Sequence, residues 1–330
     1  TPLMTAAYNG CTEVVRALAV AGADAQRAKR TTGFSALIAA AYNGFRETAS
    51  VLLEHRADPN EPMRRGGWTP LMVSASQGHV ETVALLLERG HARVDATNAN
   101  GLTALILAAT AGHEPTVSQL LHRRADVDAR DTQLCSALMH SVRHGHTRTC
   151  ATLLTARANI HLPRAHALTP LHEAAACGHE DVVGLLVESR AKLDEMASVG
   201  PTAGSLSAQQ MAASAGHAPA ALRLLHAGAS IGQAGKGSAL ALASTPSVAV
   251  HLVRHGADIN DVPRALIAQD QTLKLLMEVK GAPSNSVLGG SADAPAVGQA
   301  IDAAPVAVAL SMPSSPGKAR VSPLVLDSMV

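Results

Sequence analysis

The sequence predicts an all-α solenoid, an array of about eight short helix–loop–helix units. The main observation is a recurring phrase that begins with a hydroxyl residue, as in "TPLMTAAYNG" and "TPLHEAAACGH". Full copies begin at Thr1, Ser35, Thr69, Thr103, Ser136 and Thr169, and weaker copies begin at Ser207 and Ser238. The full copies are spaced by 33 or 34 residues. A fixed period of this length is typical of a solenoid rather than of separate globular domains.

Each phrase carries the signals that start and stop a helix. Its first Thr or Ser supplies an N-cap oxygen, and the proline that follows in three copies (Pro2, Pro70 and Pro170) suits the first helical position. A pair of alanines comes next and lets neighbouring helices approach closely. Gly or Gly-His then ends the helix, because glycine tolerates a positive φ. A second helix is predicted from apolar residues three and four apart, as in "VVGLLVE" at 182–188.

The stretch "TPLHEAAACGHEDVVGLLVESRA" from Thr169 resembles an ankyrin repeat, and the pattern extends over residues 1–260. The resemblance implies helix pairs with projecting β-hairpin fingers, stacked in a curved array whose concave face binds proteins. The residues agree with stacking, since one unit cannot bury its own apolar face without neighbours. We therefore expect function to lie in the residues that change between copies.

The chain departs from the ankyrin pattern at two positions of the unit. The His of the TPLH phrase is kept only at His172. The Gly of the "GAD" turn after the second helix is replaced by arginine in four units, at Arg56, Arg124, Arg157 and Arg190. Because a left-handed conformation costs a residue with a side chain about 1 kcal/mol or more, these arginines are predicted stability defects. A cation at a helix C-terminus offsets part of that cost.

The chain is predicted to divide into three segments. Residues 1–260 form the repeat array, with a flexible loop at 197–205 where one link is stretched. Residues 261–283 resemble an eroded ninth unit and are predicted to cap the array as a degenerate repeat. Residues 284–330 are rich in Ser, Ala, Pro, Gly and Val and contain no aromatic residue, so we predict a disordered tail.

Composition limits the environment and the partners. With 27 basic and 26 acidic residues, the net charge of +1 gives no global field that draws the chain to nucleic acid or anionic membranes. Its apolar runs are far shorter than the roughly 20 residues of a membrane span. The four cysteines show no metal-binding spacing, which favours a reducing, intracellular location, cytoplasmic or alternatively nuclear. The chain starts inside a repeat, so we expect a fragment, and we expect it to be monomeric.

The sequence contains no nucleophile elbow, Walker A loop, HExxH pair or dinucleotide fingerprint. We therefore expect no enzyme activity and no cofactor within this chain. His140, His144 and His146 lie close together, and metal binding is one interpretation of them. A structural or solvated role is favoured, because His146 belongs to a Gly-His turn and a metal needs converging ligands.

All five aromatic residues lie within the first 68 positions, although the repeats continue far beyond them. Tyr8 and Tyr42 are 34 residues apart, as are Phe34 and Trp68, so each pair is expected side by side on adjacent units. Interface energy concentrates in Tyr, Trp and Arg. The predicted partner-binding residues are Tyr8, Asn9, Lys29, Arg30, Phe34, Tyr42, Asn43, Arg64, Arg65 and Trp68. The alternative is that Phe34 and Trp68 only brace neighbouring fingers and that the Tyr-Asn pairs record a duplication.

Four further residues are candidates for modification. Asn60 and Asn260 end the stretches "LLEHRADPN" and "LVRHGADIN", which resemble asparaginyl-hydroxylase sites in other ankyrin proteins; the alternative is an Asn that shapes a hairpin. Ser315 and Ser322 precede proline in the predicted tail and match the short pattern of proline-directed kinases. The terminal "DSMV" is similar to a PDZ-binding end, a match that four residues also give by chance.

These patterns predict a non-catalytic scaffold that binds a partner protein, one with an acidic segment, through a concave face and finger loops. Two alternatives remain: a regulatory or targeting region of a larger multidomain protein, such as an enzyme or channel, and a structural spacer. Nucleic-acid binding is not expected, because the basic pairs are not interleaved with aromatics along a stripe. For those basic pairs, simple solvation is as good an explanation as an acidic partner.

Overall fold

The fold is described from a computed structural model, in which residues 1–198, 205–232 and 238–279 are placed. Over these residues the chain forms 17 α-helices. They divide into two compact bodies, the first comprising Thr1–Leu162 and the second beginning at Pro163. The predicted tail at 284–330, with Ser315 and Ser322, lies outside the described residues.

The first body consists of five helix pairs. In each pair we call the first helix inner and the second outer. The pairs are α1 (Pro2–Tyr8) with α2 (Thr12–Val20), α3 (Ala36–Asn43) with α4 (Arg46–Glu54), α5 (Pro70–Gln77) with α6 (Val80–Glu88), α7 (Ala104–Ala111) with α8 (Glu114–His122), and α9 (Ala137–Arg143) with α10 (Thr147–Thr155). Each inner helix packs on the next inner helix, and each outer helix packs on the next outer one. The predicted helix–loop–helix unit is confirmed.

The second body contains two more helix pairs and a less regular end. Its elements are α11 (Pro170–Cys177), α12 (Glu180–Glu188), α13 (Ala208–Ala215), α14 (Ala218–His226), α15 (Pro246–Arg254), α16 (Arg264–Gln269) and α17 (Gln271–Val279), with short 3-10 turns at Ala165–Ala167 and Ile259–Asp261. Strands β1 (Ala197–Ser198) and β2 (Ser205–Leu206) pair antiparallel just before α13. None of the helices in the described residues is both long and apolar enough to span a membrane.

The inner helices begin and end as the sequence predicts. The Ser35 hydroxyl accepts a hydrogen bond from the amide of Ile38 at the start of α3, and Thr69 does the same for Met72 at the start of α5. Helix α3 ends at Gly44, whose φ of 73° is left-handed. Paired alanines are fully buried between inner helices, at Ala40, Ala41, Ala108, Ala109, Ala174 and Ala175. Their small side chains allow these helices to pack closely.

A glycine–histidine joint connects successive inner helices. The glycine that ends one inner helix lies against the histidine that precedes the next outer helix. A Cβ added to Gly44 would lie 2.5 Å from Nδ1 of His79, so only glycine fits there. The Nε2 atom of His79 donates to the carbonyl of Tyr42 at 2.9 Å. The same joint recurs at Gly78 with His113, at Gly112 with His146 and at Gly178 with His217.

Two details of the predicted array differ in the structure. In the described residues, strand pairing within a finger is limited to β1 with β2 and one isolated bridge between Arg130 and Ser136. The other fingers are tight turns. Each is closed by one backbone hydrogen bond, such as the one from Lys29 N to Phe34 O at 2.8 Å. The weak copy at Ser238 forms turns over 239–242 instead of an inner helix, since Pro246 starts α15 soon afterwards. The count of eight units therefore stays a prediction.

The four arginines that replace glycine adopt the predicted left-handed conformation, with φ between 61° and 66° at Arg56, Arg124, Arg157 and Arg190. At equivalent positions that keep glycine, Gly22 and Gly256, an added Cβ would meet nothing within 4 Å. A side chain therefore fits in open space at this turn, and the cost of arginine is conformational rather than steric.

Changing Arg124→Gly is expected to raise the free energy of unfolding by up to about 1 kcal/mol, because it removes left-handed strain without creating a cavity. Urea and thermal unfolding of the full chain measure the effect. The control Arg148→Gly puts glycine inside helix α10 and is expected to lower stability by about 0.5 to 1 kcal/mol. Equal or lower stability of Arg124→Gly would contradict the strain argument.

One buried polar side chain interrupts the core of the second body. Gln209 in α13 is fully buried, and neither its Nε2 nor its Oε1 has a hydrogen-bond partner. The same position of the other units is leucine, at Leu3, Leu37, Leu71, Leu105, Leu138 and Leu171. An unsatisfied buried amide costs about 1 to 3 kcal/mol, so Gln209 is a local weak point.

The substitution Gln209→Leu is expected to stabilise the second body by about 1 to 3 kcal/mol, since it removes the unsatisfied amide and restores the apolar side chain of the other units. Denaturant unfolding followed by circular dichroism checks this. The exposed Gln271 provides a control, because Gln271→Leu changes the same groups on the surface and should leave stability within about 0.5 kcal/mol. A loss of stability in Gln209→Leu would show that the amide has a role in packing.

Candidate partner-binding site

A cleft of about 590 Å³ lies between the inner helix of the first pair and the finger that follows that pair. We call it the basic cleft. It is lined by Thr1, Met4, Thr5, Tyr8, Asp24, Arg27, Ala28, Lys29, Arg30 and Phe34. Four of the ten residues predicted from the sequence to bind a partner, Tyr8, Lys29, Arg30 and Phe34, therefore meet in one cavity.

The charge of the basic cleft is predominantly positive. Arg27, Lys29 and Arg30 line it, against a single carboxylate at Asp24. That carboxylate accepts a hydrogen bond from the backbone amide of Gln26 at 2.9 Å, which shapes the turn that leads into the finger. The sequence did not single out Arg27, because it lies outside the Lys29-Arg30 pair. The position of Arg27 in the cleft is apparent only once the turn at Asp24 is known.

Tyr8 and Tyr42 lie on adjacent inner helices, as predicted from their spacing, and both are half-buried. Asn43 connects the two helices: its Nδ2 donates to the carbonyl of Tyr8 at 3.0 Å and to that of Ala39 at 3.3 Å. The side-chain amide of Asn43 is thus used inside the array, and we assign it a positioning role. Asn9, in contrast, is exposed next to Tyr8.

The structure corrects the prediction for Phe34. Only 3% of its surface is exposed, so its ring packs inside the finger and offers little area to a protein partner. Lys29 donates its backbone amide to the Phe34 carbonyl at 2.8 Å, which closes the finger around the ring. Phe34 therefore supports the wall of the basic cleft. This agrees with the bracing role that the sequence offered as the alternative.

The second finger carries the other three predicted residues. Arg64 and Arg65 are exposed, and Trp68 is half-buried. The indole of Trp68 lies over Gly66, where an added Cβ would be 3.0 Å from its Cδ1 atom. These residues do not line the basic cleft; they extend its positive surface along the neighbouring finger.

The first and second fingers are joined directly through their backbones. The amide of Arg64 donates to the carbonyl of Thr32 at 2.9 Å. Gly33 makes this approach possible, because its φ is 73° and an added Cβ would lie 2.5 Å from the Arg64 nitrogen. The basic residues of the two fingers are therefore held in a fixed relation to each other.

The repeat geometry has a counterpart among known protein families. The family model described as "Ankyrin repeats (3 copies)" matches residues 1–63, 61–131 and 128–197, which together exceed half of the chain. The chain belongs to the ankyrin-repeat family. Ankyrin repeats are generally protein–protein interaction modules and are typically non-catalytic. Among curated proteins, none matches the sequence significantly.

The ankyrin phrase is most complete at His172, in the second body. Its Nδ1 atom lies 2.7 Å from the Thr169 hydroxyl, and its Nε2 atom donates to the carbonyl of Glu195 at 2.9 Å. Burial lowers the pKa of His172, because the charged imidazolium is disfavoured away from water. Next to it Glu173 forms a buried ion pair with Arg164, with Nε and Oε2 3.1 Å apart. No pattern in the sequence pointed to this pair.

The two candidate hydroxylation sites occupy turns of the ankyrin array. Asn60 Oδ1 accepts the backbone amide of Arg93 from the next unit at 2.8 Å. Asn260 is exposed, and its Nδ2 donates to Asp258 at 2.9 Å. Both contacts fit the hairpin-shaping role given as the alternative, and modification of either residue stays a prediction.

The three clustered histidines do not converge on one point: His144 and His146 contact each other, while His140 has a different partner. His146 donates to the Thr110 carbonyl as part of a glycine–histidine joint, and its ring stacks on that of His144 with centroids 5.9 Å apart. His140 instead pairs with Asp131, with Nε2 and Oδ2 2.8 Å apart. Burial alone would raise the pKa of Asp131, but the bonds from His140 and from two backbone amides hold that pKa below its usual value.

Replacing Gly33 with alanine is expected to destabilise the first body. The loss in the free energy of unfolding should exceed the cost of a left-handed alanine alone, which is about 1 kcal/mol. The added Cβ would force the two fingers apart and break the bond from Arg64 to Thr32. The matched control is Gly22→Ala, which has a φ of 87° but open space around the new Cβ. Urea unfolding measures both variants. Equal losses would show that the contact between fingers contributes nothing.

Proposed function

We propose that this ankyrin protein is a non-catalytic scaffold that binds an acidic segment of a partner protein on its first two repeats. The binding surface comprises the basic cleft and the joined second finger. In this proposal the contacts come from the face that inner helices and fingers share, as expected from the sequence.

The observation that carries the proposal is the grouping of three cations and a tyrosine in one cavity. Arg27, Lys29, Arg30 and Tyr8 line the basic cleft, and Asp24 is the single acidic residue there. Arginine and tyrosine are the side chains in which interface energy concentrates. A carboxylate-bearing segment supplies the complementary charge, while the tyrosine ring provides apolar contact area.

Electrostatics favours a local rather than a global attraction. The net charge of the whole chain is only +1, so an acidic partner gains little from the protein as a whole. The cations of the first finger are joined by Arg64 and Arg65 on the second, and the backbone bond between the fingers fixes their spacing. Such an arrangement increases the association rate and the specificity of an acidic ligand, and it weakens with added salt.

We also propose an intracellular, cytoplasmic location and a monomeric state. The four cysteines show no spacing that suggests a disulfide framework, and burial raises the pKa of Cys150 to about 11, which keeps that thiol unreactive. The two alternative functions are a structural spacer and a regulatory region of a larger protein. A spacer has no ligand for the basic cleft.

Selection from a displayed random-peptide library tests the proposal, because such a selection works without the identity of the natural partner. Peptides captured by the full chain are expected to be enriched in Asp and Glu. The double variant Arg30→Glu with Arg65→Glu should weaken binding of a selected peptide by about tenfold or more, since attraction becomes repulsion on both fingers. Fluorescence anisotropy at two salt concentrations measures the affinity.

The control reverses two exposed arginines that are not part of the proposed binding surface, Arg148→Glu with Arg254→Glu, and changes the net charge equally. This variant should bind the selected peptide almost as well as the unmodified chain does. Peptides without acidic enrichment would contradict the proposal. Equal loss of affinity in both double variants would show that the peptide responds to the net charge of the chain and not to this site.

A further inference from the structure

One finger and its inner helix bring three different metal-binding side chains together. Asp131 and Cys135 lie in the finger that precedes α9, and His140 lies within α9. One ligand atom from each residue falls within 4.8 Å of the other two. This triad lies in the first body, far along the chain from the basic cleft.

The repeats themselves give an internal comparison for the triad. The position of Asp131 holds Lys29, Met63, Asn98 and Arg164 in other units; that of Cys135 holds Phe34, Trp68, Leu102 and Leu168; and that of His140 holds Thr5, Ala39, Val73, Leu107 and Glu173. Most of these side chains have no strong affinity for a metal. The three ligand types therefore coincide in a single unit of the described array.

One carboxylate oxygen of Asp131 is directed at the other side chains of the triad. Its Oδ1 accepts the backbone amides of Gln133 and Cys135 at 2.9 and 2.8 Å, which fixes the carboxylate in the turn. The other oxygen, Oδ2, faces His140 Nε2 at 2.8 Å. A tetrahedral zinc ion with bonds of about 2.0 to 2.3 Å separates its ligand atoms by about 3.3 to 3.6 Å. Side-chain shifts of about 1 Å or less therefore suffice.

We propose that Asp131, Cys135 and His140 bind one Zn²⁺ ion, with water as the fourth ligand. A thiolate with an imidazole and one carboxylate selects zinc over magnesium or calcium, which prefer all-oxygen sites. On binding, the Cys135 thiol releases its proton to solvent, and the imidazole of His140 moves its proton from Nε2 to Nδ1. The thiolate and carboxylate then balance the charge of the ion.

The surroundings of the triad suit this role. Cys135 and Asp131 are buried, while the side chain of His140 is 12% exposed and provides an edge at which water reaches the ion. Arg143 Nη2 lies 4.0 Å from Cys135 Sγ, so a cation faces the sulfur. The ion would fasten the finger to α9. That finger contains Leu134 in a left-handed conformation, with a φ of 63°, where three other fingers use glycine.

Cobalt substitution tests the proposal with the full chain, reduced and stripped of metal by a chelator. Addition of Co²⁺ is expected to produce a thiolate-to-cobalt charge-transfer band in the near ultraviolet and the intense visible bands of a tetrahedral ion. Equilibrium dialysis against Zn²⁺ should give about one equivalent per chain and a higher melting temperature.

The neighbouring units supply variants that are expected to fold. Cys135→Leu and His140→Leu introduce the residues of Leu102 and Leu107, and Asp131→Asn introduces that of Asn98, which accepts the same two backbone bonds in its own finger. Circular dichroism verifies folding of each variant. Each should abolish the charge-transfer band and reduce the bound zinc at least tenfold.

The control removes an exposed thiol outside the triad by Cys11→Ser and should leave the band and the stoichiometry unchanged. Several outcomes would overturn the proposal. The first is the absence of a charge-transfer band in the unmodified chain. Another is a band that survives in Cys135→Leu or is lost in Cys11→Ser, because the metal would then lie elsewhere. The last is full zinc binding by folded Asp131→Asn and His140→Leu.

Discussion

The glycine–histidine joint is the contact on which the arrangement of the repeats depends. At Gly44 the backbone has no side chain because the ring of His79 occupies that space, 2.5 Å from where a Cβ would lie. The same ring donates to the carbonyl of Tyr42, so one residue satisfies a helix end and sets the distance between two helices. The first joint substitutes Phe45 for histidine, which keeps the close packing on Gly10 but not the hydrogen bond. The finger residues that form the basic cleft are positioned by this stack.

Local rules predicted most of the fold. Hydroxyl caps, the helix-ending glycines and the left-handed arginines all follow from the conformational preferences of single residues, and the period fixed where they recur. The weak copy at Ser238 forms turns rather than an inner helix, because a helix also needs room before the next proline, and Pro246 comes too soon. The weak point at Gln209 was not predicted, because the sequence does not show whether a buried side-chain amide has a hydrogen-bond partner.

The candidate sites were predicted less completely, for a physical reason. Spacing placed Tyr8 beside Tyr42, yet it could not tell that Phe34 is covered by its own finger or that Asn43 is used between helices. The proximity of Asp131, Cys135 and His140 depends on how a turn folds back on a helix. Closeness along the chain grouped the histidines with each other and gave no sign of partners across that turn. Side-chain direction, rather than position in the repeat, decides such cases.

The glycine–histidine joint also gives the array a direction. Each histidine reaches back to the repeat before it, from His79 to Tyr42 and from His113 to Ser76, and the carbonyl only accepts. A repeat added after the last one would bring its own donor and use an acceptor that is already in place. A repeat placed before the first described one would rely on a donor from that repeat, where Cys11 stands at the position of His79. Extension on the C-terminal side of a repeat therefore needs no change in that repeat, whereas extension on the N-terminal side of the first described repeat lacks the histidine donor.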